Sequence, residues 1–277
     1  MLTYDAGIRV AHHRLASGPA IHSSERPGGF KSDFWTGLID FSCNTVAMRG
    51  YGQLCPIAIA SKIFAERWTP LVVRELFCGS HRFNELVIGL PRIPRSLLVQ
   101  RLRSLETAGV VERRVDAAGR GVEYHLTPAG VELGDVVLQL GDWGKRWANT
   151  PVGPHNLDSD FLIWDIHRRL DENHMPDHRV VVQVDLTGAN LKNYWLVLER
   201  PAASVCWTDP GFEVDLLVQA DSVALHRVWV GQLPLASALR EGLIELEGPA
   251  DLCRAFPNWL KLSLFVERDK RDLRMMG

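Results

Sequence analysis

The chain has 277 residues, 46% of them apolar and 23% charged, which is enough for two ordinary cores and too well balanced for wholesale disorder. No apolar run approaches the roughly 18 residues of a membrane span, and no apolar stretch with a small-residue cleavage site marks a secretory leader; the five cysteines are scattered without a C-x-x-C pair, so a reduced, cytoplasmic setting is expected. The formal charge of −2 conceals a split: residues 48–150 hold 14 Lys and Arg against 10 Asp and Glu, residues 151–277 hold 13 against 19, and residues 1–47 hold 4 of each, so a mildly basic middle suited to phosphate adjoins an acidic part that phosphate repels.

Residues 1–47 show turn-forming punctuation at Gly18-Pro19, Ser23-Ser24 and Pro27-Gly28-Gly29 and no sustained period. Two readings stand: a flexible arm, or an over-long gene start with the natural one at Met48. Ordered signals begin at Cys55-Pro56, where proline suits the first turn of a helix over 57–65. Thr69 is placed to cap a second helix over 70–77, and Gly79-Ser80 ends it. A third spans 82–89, with Phe83, Leu86, Val87 and Leu90 at helical spacing. The turn from Gly89 to Ile93 leads to a fourth over 94–108, closed by Gly109. Strands over 110–115 and 122–126 flank the glycine-bearing loop 116–121 as a hairpin. Thr127-Pro128 opens a last helix reaching Trp147.

After a linker at 149–157, residues 158–277 read as mixed α and β. A helix over 160–171 carries Leu162, Ile163, Ile166 and Leu170 on one face. Strands follow over 180–186, 194–198, 203–207, 213–218 and 242–246. Asp221 is placed to cap a helix over 222–230, and another spans 249–256. The expected fold class is α+β, with a module over 48–148 and a second domain over 158–277.

Helix, helix, turn, helix and a two-stranded wing is an order suited to duplex DNA, one helix in the major groove and the hairpin tip on the flanking backbone. In the fourth helix Leu98, Leu102 and Leu105 fall at i, i+4 and i+7, which buries that face. Arg95, Ser96, Val99, Gln100 and Arg103 fall mostly opposite; arginine can pair with guanine edges or phosphate and glutamine with adenine. Arg92 precedes the helix, and the wing adds Arg113, Arg114 and Arg120. His81 and Arg82 are placed to hold phosphate at the third helix's N-terminus. The bland reading of each arginine is a solvated surface charge; for Arg101 that reading, with a neighbouring acid as a partner, stands level with a role on DNA. Leu133, Val136, Leu140, Trp143 and Trp147 are spaced 3, 4, 3 and 4, a heptad-like seam for a homodimer, or else packing on the chain's own core.

Several separated strings, Cys55-Pro56, Arg67-Trp68-Thr69, Arg82-Phe83-Asn84-Glu85-Leu86, Leu98 to Leu105 with Gly109, and Tyr124-His125-Leu126-Thr127-Pro128-Ala129-Gly130, resemble the HxlR family of bacterial winged-helix regulators over about one hundred residues. The resemblance implies a cytoplasmic homodimer on a pseudo-palindromic, double-stranded operator. It implies neither the target gene nor the direction of regulation. Cys55 stands at a helix N-terminus, where the dipole favours a thiolate. Relatives of this type carry a cysteine there that responds to electrophiles or oxidants, so Cys55 is a candidate redox sensor, with an inert thiol as the alternative. Cys78 reads as a packing residue.

In the second domain, the order from Tyr194-Trp195-Leu196 through Val228-Trp229-Val230-Gly231 to Phe256-Pro257-Asn258-Trp259 resembles the sterol-carrier-protein-like fold, a small sheet and helices around an apolar tunnel. That resemblance implies a small apolar effector and no catalysis, with Trp195, Trp229, Leu233, Phe256 and Trp259 as pocket candidates; each is also ordinary core material. His167, Asp171, His174 and His178 recur near helical spacing, but Pro176 interrupts them and solvated charges surround them, so no metal is assigned. No cofactor motif or nucleophile arrangement is legible; Gly119 and Gly121 lack the third glycine of a dinucleotide loop. The function expected is sequence-specific transcriptional regulation, not catalysis, without membrane attachment. The alternative is a hydrophobic-ligand carrier whose winged helix serves dimerisation.

Overall fold

A computed structural model describes residues 54–116, 119, 121–148, 151–200, 202–266 and 268. Residues 1–47, Met48 and Arg120, each given a role above, lie outside them. The fold is α+β, with one hydrophobic core in each half.

Helix α1 (Pro56–Phe64) starts at a proline, as its missing N–H allows, and buries none of its residues. Helix α2 (Thr69–Phe77) is capped by Trp68, not Thr69: Trp68 takes the left-handed conformation at φ 77°, which turns its ring onto the core and makes Thr69 the first, buried helical residue. Helix α3 (Phe83–Gly89) starts one residue later than the pattern predicts. Helix α4 (Arg95–Thr107) buries Leu98, Leu102 and Leu105 as their spacing requires. Gly109, at φ 68°, lets the Val110 amide reach back to the Leu105 carbonyl at 2.9 Å, which ends the helix in the manner glycine permits. Strands β1 (Val111–Val115) and β2 (Val122–Leu126) pair antiparallel, and Arg82 bridges Glu123 on the hairpin's edge. Helix α5 (Pro128–Trp147) is capped by Thr127, whose hydroxyl accepts from the Gly130 amide at 3.2 Å and donates to the Gly109 carbonyl at 2.6 Å. It packs along α2.

The second half begins with α6 (Ser159–His167), capped by Asp158, whose carboxylate accepts from the Phe161 amide at 3.1 Å. The predicted helix to residue 171 stops early because Leu170 bridges Leu260 and the Asp171 amide donates to the Trp259 carbonyl at 2.7 Å. Strands β3 (Val180–Thr187), β4 (Lys192–Glu199), β5 (Ala202–Cys206), β6 (Leu216–Asp221) and β7 (Ile244–Glu247) form one sheet in the order β5-β4-β3-β6-β7. Only the central β3–β6 pair is parallel. Strand β6 starts later than predicted, since Asp215 is engaged before it: its carboxylate accepts from the Val181 amide at 2.8 Å. Helix α7 (Ser222–Trp229) is capped by Asp221 as expected. Helix α8 (Leu235–Arg240) is too short to leave a sequence period, and α9 (Ala250–Trp259) follows β7.

Alternation along the strands sets the two sheet faces. Val180, Val182, Val184, Tyr194, Leu196, Leu198, Leu216, Val218 and Ile244 form the core with residues of α6, α7 and α9. Gln183, Asp185, Trp195, Leu217, Gln219, Glu245 and Glu247 lie on the opposite face, half-buried or exposed. No described helix is long and apolar enough to cross a membrane.

Candidate nucleic-acid interface

Beneath α4 the three leucines are each at most 1% exposed, while Arg95, Ser96, Gln100 and Arg103 stand in solvent and Val99 is half-buried. The helix is therefore pinned on one side and free on the other. The Arg95 guanidinium lies 5.9 Å from the Phe83 ring centroid, and that of Arg113 6.0 Å from Tyr124. A small hollow of about 100 Å³ between α4 and the wing is lined by Val99, Leu102, Arg103, Glu106, Arg113 and Tyr124. Arg103 of the helix and Arg113 of the wing thus flank one cleft, with Glu106 also in its lining. Arg101, by contrast, is spent on structure: it pairs with Glu66 at 2.8 Å and donates to the Arg67 carbonyl at 3.1 Å.

Three predicted roles change. The amides of His81 and Arg82 do not point outward to a phosphate; both donate to the Glu85 carboxylate, at 2.8 and 2.9 Å, because a glutamate at the third helical position reaches back to close the turn. The Arg82 side chain ties α3 to the wing through Glu123 at 3.4 Å and Asp116 at 3.5 Å. Arg92 leans away from α4 toward the second half, 3.9 Å from Asp158. Arg114 pairs with Glu112.

On α5, Val136, Leu140, Trp143 and Trp147 are 45–71% exposed, an unusual density of large apolar groups on one helix face. Leu133 departs from that seam and packs against the core of its own chain. Ile57 on α1 and Leu54 before it add apolar surface. Cys55 is the half-buried cap residue of α1. Cys78 is also half-buried, and burial pushes its thiol up, which fits a packing role.

The five pocket candidates do not converge. Trp229, Phe256 and Trp259 are packed into the sheet core, the last two edge to face at 5.9 Å, and Leu233 rests against them. Trp195 sits on the other sheet face, because it follows the inward Tyr194 by one residue. A broad hollow of about 510 Å³ on that side is lined by Gln183, Glu213, Val214, Asp215, Leu217, Glu247, Gly248 and Pro249, none of them predicted. Asp171 pairs with His174 at 3.0 Å and Lys261 at 3.1 Å, while the His167 ring lies 4.4 Å from that of Trp164 at a tilt of 43° and its pKa is lowered by burial.

Sequence reasoning missed the residues that join the halves: Arg74, Glu75 and Ser80 of the first, Asp165, Arg168 and Trp229 of the second. One signal was available. Glu75 falls at i+3 from Val72, on the buried face of α2, where an acid requires a partner.

The profile of the HxlR-like helix-turn-helix family matches residues 63–151. The uncharacterized HTH-type transcriptional regulator YvaP of Bacillus subtilis is 35% identical over 108 residues, 38% of this chain and 96% of that protein. A second uncharacterized HTH-type regulator, from Synechocystis, is 37% identical over 97 residues, 35% of this chain and 72% of its own length. The solved structure of the ubiquinone synthesis protein UbiJ-SCP2 is similar at 21% identity and a TM-score of 0.25, over 31% of this chain and 70% of that one. The order of helices and wing, the leucine-anchored α4 and these matches lead to one conclusion: the chain belongs to the HxlR-like helix-turn-helix family of DNA-binding transcriptional regulators.

Proposed function

We propose that the protein acts in the cytoplasm as a homodimer that reads an operator with α4, through Arg95, Ser96, Val99, Gln100 and Arg103, while Arg113 and Arg120 of the wing meet the flanking backbone. The observation that carries this reading is α4 itself, whose polar side is exposed over a fully buried leucine ridge. Arg82 and Arg92 act indirectly, by holding the wing and the turn before α4. The test is binding to the DNA upstream of the protein's own gene against random duplex of equal length, at several salt concentrations. Specific binding that weakens steeply with salt is expected; equal affinity for both duplexes would end the reading.

The dimer is proposed to form on the apolar face of α5 with α1, which sets two recognition helices about 34 Å apart for half-sites one turn distant. Leu140→Glu with Trp143→Glu is expected to give a monomer by light scattering and to lower operator affinity by about 100-fold or more, the loss expected when two linked contacts are uncoupled. A variant that stays dimeric would refute this seam.

Cys55 is proposed as the thiol through which oxidants reach the protein, since it is the half-buried cap residue at the N-terminus of α1, where the helix dipole favours a thiolate. Mild oxidation should weaken operator binding in the wild type and leave Cys55→Ser unaffected; equal loss in both would remove Cys55 from the mechanism. The sheet half is proposed as an effector module of sterol-carrier-like type that binds a small apolar molecule. Native mass spectrometry of the purified protein would reveal such a ligand. Coupling of this kind typically changes DNA affinity roughly 5–150-fold.

A further inference from the structure

The halves are joined by a chain of side chains running from the core of one to the turn before α4. Glu75 of α2 is 0% exposed, and its two oxygens divide the work. Oε1 accepts from Arg74 at 2.8 and 3.1 Å and from Arg168 at 3.3 Å; Oε2 accepts from Arg168 at 2.8 Å and from the Ser80 hydroxyl at 3.2 Å. Arg168, at the end of α6, is held in turn by Asp165, which accepts from its Nε at 2.8 Å and Nη2 at 2.5 Å. The second oxygen of Asp165 accepts from the indole N–H of Trp229 at 3.0 Å, at the end of α7. On the other side, Glu75 abuts the last residue of α3: a Cβ on Gly89 would lie 2.0 Å from Oε2. Arg74 donates to the Gly89 carbonyl at 3.3 Å.

The same seam grips the turn that follows Gly89. The Arg74 guanidinium lies 4.9 Å from the Phe161 ring of α6. Trp68, Leu71, Leu90, Pro91 and Phe161 enclose a hollow of about 160 Å³, with Arg92 and Asp158 3.9 Å apart beside it. A shift of α6 therefore cannot occur without moving Arg168. A displaced Arg168 leaves a buried carboxylate short of donors, a state costly enough to force rearrangement. Glu75 also abuts the end of α3, six residues before α4, so its rearrangement is felt there.

We propose that the sheet half is a built-in clamp on the helix-turn-helix, and that its grip, relayed from Trp229 through Asp165, Arg168 and Glu75 to Gly89, sets the position of α4. A ligand or partner that moves α6 or α7 acts on DNA binding through this relay, even though none of the relay residues is among those that face DNA. The affinity readout of the test rests on the DNA-binding reading; hydrogen exchange does not.

The experiment compares full-length wild type, Trp229→Phe and Arg168→Met by hydrogen–deuterium exchange and by affinity for the upstream DNA. Trp229→Phe removes the indole N–H donor at the far end of the relay together with part of a buried core ring, so faster exchange in the sheet core alone reports lost packing and faster exchange in α3 and α4 reports the relay. Expected are faster exchange confined to α3, the turn and α4, and an operator affinity changed at least fivefold, the lower end of ordinary allosteric coupling. Unchanged exchange there, acceleration spread equally over α5 and the sheet, or affinity within twofold of wild type would each overturn the relay. If Arg168→Met fails to fold, Trp229→Phe decides alone; if the wild type shows no preference for the upstream DNA, exchange decides alone.

Discussion

Replacing Arg95 and Arg103 together by alanine is expected to lower operator affinity by about 30-fold to more than 10,000-fold for each half-site, with little change in folding stability. A well-placed arginine at a base edge is worth about 1–3 kcal/mol of discrimination, and the two side chains are exposed on the free side of α4, so nothing is left unpaired when they go. The loss should be far smaller on random duplex, because base contacts, unlike phosphate contacts, vanish off-target. Arg101→Ala is the control on the same helix. Its guanidinium already serves Glu66 and the Arg67 carbonyl, so its removal should cost stability and leave the ratio of specific to random affinity unchanged. Anisotropy titrations of the three variants on both duplexes, with urea unfolding alongside, separate the outcomes. Equal losses on both duplexes for the double variant would mean that Arg95 and Arg103 contact phosphate only.

The contrast between these arginines shows what was legible in the sequence. The leucine ridge of α4, the proline at the start of α1, the glycine after α4 and the hairpin depend on neighbours within a few residues, and a period or a turn residue records them. What failed depends on distance along the chain. Glu75 and Arg168 are 93 residues apart, and no local pattern announces that they meet. The five aromatic and aliphatic pocket candidates share a residue type, but strand alternation puts Trp195 on one sheet face and the packing of α7 and α9 puts the others on the opposite one. The phosphate site expected at His81 and Arg82 fails for a local reason, since Glu85 stands in plain view at the third helical position, where a carboxylate competes for the same amides.

Gly130→Ala is expected to destabilise the winged helix by about 3 kcal/mol, at the upper end of overpacking effects, and with it the operator affinity. A Cβ at residue 130 would lie 2.1 Å from the Val110 carbonyl oxygen and 3.1 Å from the Leu126 side chain. That carbonyl is backbone and already engaged: it accepts from the Thr127 amide at 3.1 Å and from the Thr127 hydroxyl at 3.3 Å. Neither it nor the strand entry behind it can retreat, so α5 must lift off the hairpin instead. The first turn of α5 is where the wing and the cap at Thr127 meet the helix that carries the exposed apolar face; lifting it loosens α5 from the wing. This gives a physical reason for the glycine in the string from Tyr124 to Gly130. Gly144, in the same helix, has nothing within 4 Å of the place an added Cβ would take, and alanine there should stabilise by roughly 0.5–1 kcal/mol through helix propensity alone. The two substitutions are chemically identical and opposite in expected sign, which excludes propensity as the cause of any loss at residue 130. Urea unfolding of both variants makes the comparison. A Gly130→Ala protein as stable as Gly144→Ala would show that α5 does not sit on the Val110 carbonyl, and the mechanical link between wing and α5 would fall with it.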